Sequence, residues 1–575
     1  MTVDFTVMAG GAAGQGIQFL GQILAKTMAG SGYHVFADQD YESKVRGGHN
    51  FFRVRASDGE VSALSEQLDI LIALNRETIE LHSKEIKDNG LILLDQEQTG
   101  VSPEGDNYFN IPLTKIAEEA ADSRLMTNTV AAGAVFGLTE CDPDLLVKVL
   151  EKELARAGEN VVAANVAVAR AGYLFAEQNR RKSASQTLKR LPKTTPRMLL
   201  NGNEALSLGA MAGGCKFMTG YPMTPASSIM EFLARKGRQY NIVTIHVEDE
   251  ISAINMAVGA GFTGVRSMTA TSGGGFALMV EGLALAGMTE TPVVIVLGQR
   301  PGPATGLPTR TEQGELWFAL HAGHGEFPRA ILAPATAEGA FWTTIKAFNL
   351  AEKYQTPVIV LTDHHLATSY KTVAKFNLAE VEIDRGALLS AEESGRVAGY
   401  RRHLVTDSGI SPRALPGQSK SLVVTDSDEH DEAGHMIEDA GTRNQQHNKR
   451  LRKLNDMKAE IESPLFNDHP EAELTLIGWG STYGAISEAV QVLRESGVKA
   501  NHLHFTELWP FPTEMVVPIL NKSTKSIVIE NNATGQLAQL IRRETGYKAS
   551  GHILKYDGRP FSPQYILNVL KKEVA

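Results

Sequence analysis

Gly220-Tyr221-Pro222-Met223-Thr224-Pro225-Ala226-Ser227-Ser228 opens the stretch that decides the fold. Glu250-Ile251-Ser252-Ala253-Ile254-Asn255-Met256-Ala257-Val258-Gly259-Ala260-Gly261, Thr269-Ala270-Thr271-Ser272 and Gly298-Gln299-Arg300 complete it. Short apolar runs at 242–245, 264–269 and 292–297 separate these motifs, and two more follow at 330–333 and 357–361. A parallel sheet buries runs of this length on both faces, with helices as right-handed crossovers. The motifs fall where predicted strands end, the edge at which open α/β sheets bind ligands.

The same alternation extends to both sides. Residues 4–10 predict a buried strand, Gly10-Gly11-Ala12-Ala13-Gly14-Gln15-Gly16 a glycine turn, and an apolar-periodic helix follows through about residue 29. Strand-like runs at 35–36, 70–74, 91–94 and near Asn110, then a helix over 165–178, complete this unit. Between 179 and 197, Arg180, Arg181, Lys182, Lys189, Arg190, Lys193 and Arg197 interleave with Ser, Gln, Thr and Pro, which reads as a solvated basic linker. Residues 376–465 lose the alternation. Their acidic run Asp426-Ser427-Asp428-Glu429-His430-Asp431-Glu432 lacks the glycine and terminal Glu of a calcium loop and reads as solvated, and Arg443 to Lys458 predicts a charged helix. Alternation returns from Glu473, with strands at 474–477, near Leu503 and at 526–530, and a last helix at 562–572. The fold class is therefore α/β, three concatenated doubly wound units.

Composition narrows the function. Apolar residues make up 43% and charged residues 21% of the 575-residue chain, as in an ordinary globular protein. The net charge of −10 argues against a nucleic-acid partner. Two cysteines, Cys141 and Cys215, exclude an all-cysteine iron–sulfur site, which takes four thiolates. No apolar run reaches the ~18 residues of a membrane span, and the start lacks a basic leader, so a cytoplasmic protein is expected.

Three positions suggest chemistry. Glu250 heads a helix in which small residues recur at helical spacing, so another layer or subunit can approach closely. Thiamine diphosphate chemistry requires one carboxylate against the pyrimidine ring nitrogen. A Glu favoured by the helix dipole is the structural alternative, and Glu248 and Asp249 compete for the role; the Glu-x-x-Ala phase favours Glu250. The two prolines around Thr224 stiffen its loop and fix the direction of its hydroxyl, as they also would in a plain capped turn. Arg300 leaves a strand for the rigid Pro301-Gly302-Pro303-Ala304-Thr305-Gly306-Leu307-Pro308-Thr309-Arg310, where a guanidinium can hold a carboxylate bidentately. The histidines show no metal-ligand spacing.

Together these motifs resemble the alpha subunit of the 2-oxoacid:ferredoxin oxidoreductases, and the resemblance spans the whole chain. Gly10–Gly16 with Tyr41-Glu42-Ser43-Lys44-Val45-Arg46-Gly47-Gly48 resembles the gamma subunit, fused ahead of alpha. Residues 473–483, Glu507-Leu508-Trp509-Pro510-Phe511-Pro512 and Glu530-Asn531-Asn532-Ala533-Thr534-Gly535-Gln536-Leu537 resemble a transketolase C-terminal domain. The resemblance implies a gamma-type domain at 1–180, the basic linker at 181–197, a thiamine diphosphate pyrimidine-binding domain at 198–375, the charged excursion at 376–465 and a transketolase C-terminal-like domain at 466–575. It implies that Glu250 contacts the aminopyrimidine, with Tyr221, Pro222 and Met223 beside the cofactor. Thr224 and Arg300 would bind the 2-oxoacid, and Arg310 would meet a distal carboxylate.

The implied reaction is coenzyme A-dependent oxidative decarboxylation with electrons passed to ferredoxin, or its reverse. The layout looks most like members acting on 2-oxoglutarate; pyruvate, branched 2-oxoacids and a non-catalytic scaffold are the alternatives. Two departures stand out. Met223 replaces the family's isoleucine, and the glycine loop reads Gly-Ala-Ala-Gly-Gln-Gly, a packing turn rather than a nucleotide site. The chain has no Gly-Asp-Gly run of the kind that holds magnesium and diphosphate. The expectation is that a beta subunit supplies Mg2+, the diphosphate grip and a 4Fe-4S cluster in an (alpha-beta)2 assembly, with no metal site in this chain.

Overall fold

The computed structural model describes residues 3–42, 48–102, 105–180, 187–192, 195–418 and 422–574. The chain divides into two compact units: 1–200 with 368–375 and 562–575, and 201–367 with 376–561.

The first unit is built on an eight-stranded sheet in the order Tyr108–Asn110, Ile86–Leu94, Leu68–Ala73, Asp4–Ala12, His49–Ser57, His34–Asp40, Tyr370–Val373, Met198–Asn201. Asp4–Ala12 pairs parallel with Leu68–Ala73 but antiparallel with His49–Ser57, a strand the sequence pattern did not single out. The glycine loop closes on itself: Ala12 N–H donates to Gln15 Oε1 at 2.7 Å, and Gln15 Nε2 donates to the Leu74 carbonyl at 3.1 Å. Gly16, with φ 72°, then starts the helix Ile17–Gly30. This is the packing turn expected. Of the run Tyr41–Gly48, residues 43–47 lie outside the described residues, as do 181–186 and 193–194 of the basic linker. The linker's middle is not freely solvated. Leu188 is fully buried and Leu191 N–H donates to the Ser31 carbonyl at 2.9 Å, so apolar contacts strap a charged segment down.

The second unit holds two sheets. Its seven-stranded sheet runs Glu507–Trp509, Ala330–Leu332, Pro357–Asp363, Val293–Gln299, Ser267–Thr271, Phe217–Gly220, Val243–His246, parallel except at the Glu507–Trp509 edge. Strand order reverses between Phe217–Gly220 and Ser267–Thr271, which makes that point the topological switch. A five-stranded sheet, Leu465–Asn467, Ala500–Phe505, Leu474–Trp479, Lys525–Glu530, Gly551–Leu554, shares one hydrophobic core with the first: Ile295 and Leu316 join the same cluster as Trp479 and Leu503.

Two buried carboxylates anchor the charged excursion. Glu352 forms ion pairs with Arg266 at 2.8 Å, Arg413 at 2.9 Å and Arg385 at 2.6 Å. Glu290 meets Lys449 at 2.7 Å and His403 Nδ1 at 3.0 Å, with Lys453 on its other oxygen. Burial alone would raise the Glu290 carboxyl, but Lys449 and Lys453 hold it well below the usual range. The helix Ala440–Glu460 brings both lysines. The acidic run at 426–432, read as solvated, is folded in as well. His430 is fully buried, and Glu429 accepts from Arg450 Nη1 and Nη2 at 2.9 and 2.7 Å. The sequence shows the acids but not the arginines that fold onto them. Among the described residues no helix is long and apolar enough to cross a membrane.

Candidate active site

Three strands of the seven-stranded sheet end side by side and release the predicted residues. Gly220 leads into Tyr221–Thr224, Thr271 into Ser272 and the helix Gly273–Met288, and Gln299 into Arg300. The proline loop is held from below: Asn203 Nδ2 donates to the Pro225 carbonyl at 2.8 Å and to Ser228 Oγ at 2.9 Å. Arg300 Nη1 donates to the Thr224 carbonyl at 2.7 Å, so these two sites, predicted separately, touch. Burial lowers the Arg300 guanidinium, and Glu315 opposes that shift. Met223 lies with its sulfur 3.9 Å from Thr271 Oγ1. Tyr221 stays 41% exposed, its ring 5.9 Å from that of His246.

The three competing acids at the start of the helix Glu250–Phe262 have different surroundings. Asp249 is its N-cap and accepts from Ser252 N–H at 2.7 Å, which occupies that carboxylate locally. Glu248 is exposed. Glu250 alone is buried, at 3% exposure, and its Oε1 has no hydrogen-bond partner. A buried carboxylate oxygen without a donor is costly, and a group that brings one would satisfy it. The helix across from it carries Gly275 where any β-carbon would lie 2.6 Å from that oxygen and 2.1 Å from Thr271 Oγ1.

Sequence reading missed further members. The loop after Arg300 returns as Thr311-Glu312-Gln313-Gly314-Glu315, and Glu315 N–H donates to Gln299 Oε1 at 3.0 Å. Burial and the neighbouring Glu312 push the Glu315 carboxyl up to about 8, against the pull of Arg300. Gln299 pairs in register with Asp363, so His364 emerges beside Arg300. Burial, then His365, Arg310 and Arg300, push the His364 imidazole down to about 3, so both guanidiniums act on one buried ring. Arg310 donates from Nη1 to the Thr309 carbonyl at 3.0 Å. The five-stranded sheet holds this loop: Gln313 Nε2 donates to the Trp479 carbonyl at 2.8 Å, and Asn532 Nδ2 donates to the Gln313 carbonyl at 3.1 Å. The pair of acids in the Thr-Glu-Gln-Gly-Glu run was the available signal.

Among the described residues no cluster of three His, Cys, Asp or Glu side chains is set to hold a metal ion.

Known proteins match along the whole chain. Residues 6–175 match the pyruvate ferredoxin/flavodoxin oxidoreductase family, 208–449 the thiamine diphosphate-binding part of pyruvate flavodoxin/ferredoxin oxidoreductase, and 472–566 pyruvate:ferredoxin oxidoreductase core domain II. The 2-oxoacid:ferredoxin oxidoreductase subunit alpha of Saccharolobus solfataricus is 32% identical, with 99% of this chain and 97% of the relative aligned. The 2-oxoglutarate synthase subunit KorA of Methanothermobacter thermautotrophicus is 33% identical over 66% of this chain and 99% of its own length. Among solved structures, the 2-oxoglutarate:ferredoxin oxidoreductase from Magnetococcus marinus, with 2-oxoglutarate, coenzyme A and succinyl-CoA bound, superposes with a TM-score of 0.92 at 32% identity over 100% of both chains. The expected α/β fold and the expected resemblance both hold, and the chain belongs to the 2-oxoacid:ferredoxin oxidoreductase alpha-subunit family.

Proposed function

We propose that this oxidoreductase subunit, joined to a beta subunit, carries out the coenzyme A-dependent oxidative decarboxylation of 2-oxoglutarate to succinyl-CoA and carbon dioxide, passing two electrons to ferredoxin. The single observation that carries the reading is the buried, unpartnered Oε1 of Glu250 beside the loop that joins Thr224 to Arg300.

The residues fit thiamine diphosphate on its pyrimidine side. Glu250 offers an acceptor to a protonated ring nitrogen, and the half-buried Met223 and exposed Tyr221 and Pro222 line the approach. When bound, thiamine diphosphate supplies the nucleophilic carbon that attacks a 2-oxoacid ketone. Glu250 holds the proton at the ring nitrogen that makes this activation favourable. Arg300 binds the 2-carboxylate, and its bond to the Thr224 carbonyl fixes the guanidinium relative to the loop whose hydroxyl orients the ketone.

Two features favour 2-oxoglutarate over pyruvate. Arg300 and Arg310 both act electrostatically on His364, and a dicarboxylate has two charges for such a pair of cations to meet. The similar enzyme from Magnetococcus marinus carries 2-oxoglutarate and coenzyme A. The partner reading is supported by the flank of Glu250, where Ile251 is 50%, Met256 38% and Leu278 50% exposed. A beta subunit on that flank would bring Mg2+, the diphosphate grip and a 4Fe-4S cluster, in an (alpha-beta)2 complex in the cytoplasm. The test is Glu250→Ala in the reconstituted complex with a low-potential acceptor. Loss of 2-oxoglutarate-dependent reduction supports the reading, and unchanged turnover would favour a scaffold subunit.

A further inference from the structure

The loop that carries Thr224 has few donors of its own. Pro222 and Pro225 have no N–H to give, so anchoring falls to the loop's carbonyls. Two consecutive carbonyls are taken by side chains from elsewhere in the chain. Arg300 Nη1 donates to that of Thr224 at 2.7 Å, and Asn203 Nδ2 donates to that of Pro225 at 2.8 Å. The Asn203 amide also donates to Ser228 Oγ at 2.9 Å, at the start of the helix Ser227–Tyr240. Asn203 is 2% exposed.

Asn203 is itself firmly placed. It is the second residue of the helix Gly202–Ala212, whose cap Asn201 accepts from Glu204 N–H at 2.8 Å. The helix start presses on Leu366, since a β-carbon on Gly202 would fall 2.3 Å from the Leu366 carbonyl oxygen. On its other side the loop meets the strand that leads to Arg300: a β-carbon on Gly298 would fall 3.1 Å from Pro225 Cγ.

We propose that Asn203 is a positioning residue for the substrate clamp: by holding the Pro225 carbonyl it seats the loop against Gly298, and so sets both the Thr224 hydroxyl and the carbonyl that fixes Arg300. The inference rests on the assignment of Thr224 and Arg300 to the 2-oxoacid. A buried carbonyl that loses its donor shifts toward another or stays unsatisfied, and the loop moves with it. A displacement of about 1 Å in such a clamp costs about 10²-fold in rate. Glu250 belongs to a separate helix capped by Asp249, so its carboxylate keeps its place. The signature is a loss for the 2-oxoacid without a matching loss for thiamine diphosphate.

The experiment measures kcat/KM for 2-oxoglutarate and the Kd of thiamine diphosphate on the complete complex, in the wild type, Asn203→Ala, Ser228→Ala and Arg300→Gln. Asn203→Ala is expected to lower kcat/KM about 10- to 100-fold and to leave the Kd within about threefold. Ser228→Ala, which spares the Pro225 bond, should keep kcat/KM within about twofold. An unchanged kcat/KM in Asn203→Ala, a parallel loss of thiamine diphosphate affinity, or an equal loss in Ser228→Ala overturns the proposal. If Asn203→Ala lowers the yield of complex, Asn203→Asp serves instead, since it keeps the size and removes the donor: the same selective loss supports the proposal and a wild-type kcat/KM overturns it. Arg300→Gln separates the two readings. A depressed kcat/KM there with a normal one in Asn203→Ala removes only the role of Asn203, whereas a normal value in Arg300→Gln removes the assignment beneath both.

Discussion

A β-carbon on Gly275 would stand 2.6 Å from Glu250 Oε1, so the helix Gly273–Met288 leaves this carboxylate its place only because that residue is glycine. Gly275→Ala is therefore expected to displace the Glu250 side chain without removing it. Turnover should fall by about 10²- to 10⁴-fold, the range lost with a general acid–base group, as it should for Glu250→Gln. Steady-state assays of the two variants and their double check this. Non-additive losses are expected, since both act on one carboxylate.

Arg300 and Arg310 divide the two ends of the substrate in the proposed reading. Arg300→Lys loses the bidentate fork, and KM is expected to rise about 10- to 100-fold for every 2-oxoacid. Arg310→Ala should lower kcat/KM for 2-oxoglutarate by about tenfold and leave pyruvate nearly unchanged. Equal losses on both substrates would remove Arg310 from the distal carboxylate.

Glu352 separates strong from weak electrostatics in this chain. Its carboxylate is 3% exposed between Arg266 and Arg413, themselves buried, so Glu352→Gln strands cations in the interior at about 3–5 kcal/mol. The pair Arg76–Glu80 is 68% and 61% exposed, and Arg76→Ala should cost less than about 0.5 kcal/mol. Thermal melts of the two variants should differ by several degrees, with the Glu352 variant lower.

Buried neutral histidines should make the second unit acid-labile. Burial, then Arg494, pushes His502 down to about 3, and burial, then His502, holds its neighbour His504 well below 6.5. Above about 6.5 neither the folded nor the unfolded imidazole is protonated, so the pair contributes no pH dependence. As pH falls below that, the unfolded chain takes protons that the folded chain refuses, and stability is lost down toward pH 3, at up to about 1.4 kcal/mol per pH unit per histidine. Urea midpoints between pH 7 and 5 should fall less steeply in His502→Asn than in the wild type.

Much of the site was legible because local patterns carry it. The helical phase of small residues after Glu250 set that acid apart from Glu248 and Asp249, and in the structure the three also differ: Asp249 caps the helix, Glu248 is exposed and Glu250 is buried. The glycine loop at Gly10–Gly16 read correctly as a turn, since Gln15 closes it within a few residues. Glu315 and His364 escaped because their environment is not local; His364 reaches Arg300 only through the register of Gln299 with Asp363. The acidic run near Glu429 misled for the same reason, its charge being met by Arg450 on a later helix. His49–Ser57 lies beyond a strand-like run too short to announce its antiparallel partner.

Both units are finished by chain that leaves the ribosome late. His34–Asp40 waits for Tyr370–Val373, and Ala330–Leu332 waits for Glu507–Trp509. During synthesis the nascent polypeptide therefore carries open strand edges and an incomplete apolar interior for most of its length, the condition under which chains associate wrongly. Fragments ending before Trp509 should accumulate as aggregates, and slower translation or lower temperature should favour the full-length product only when something shields those edges until the last helix is made.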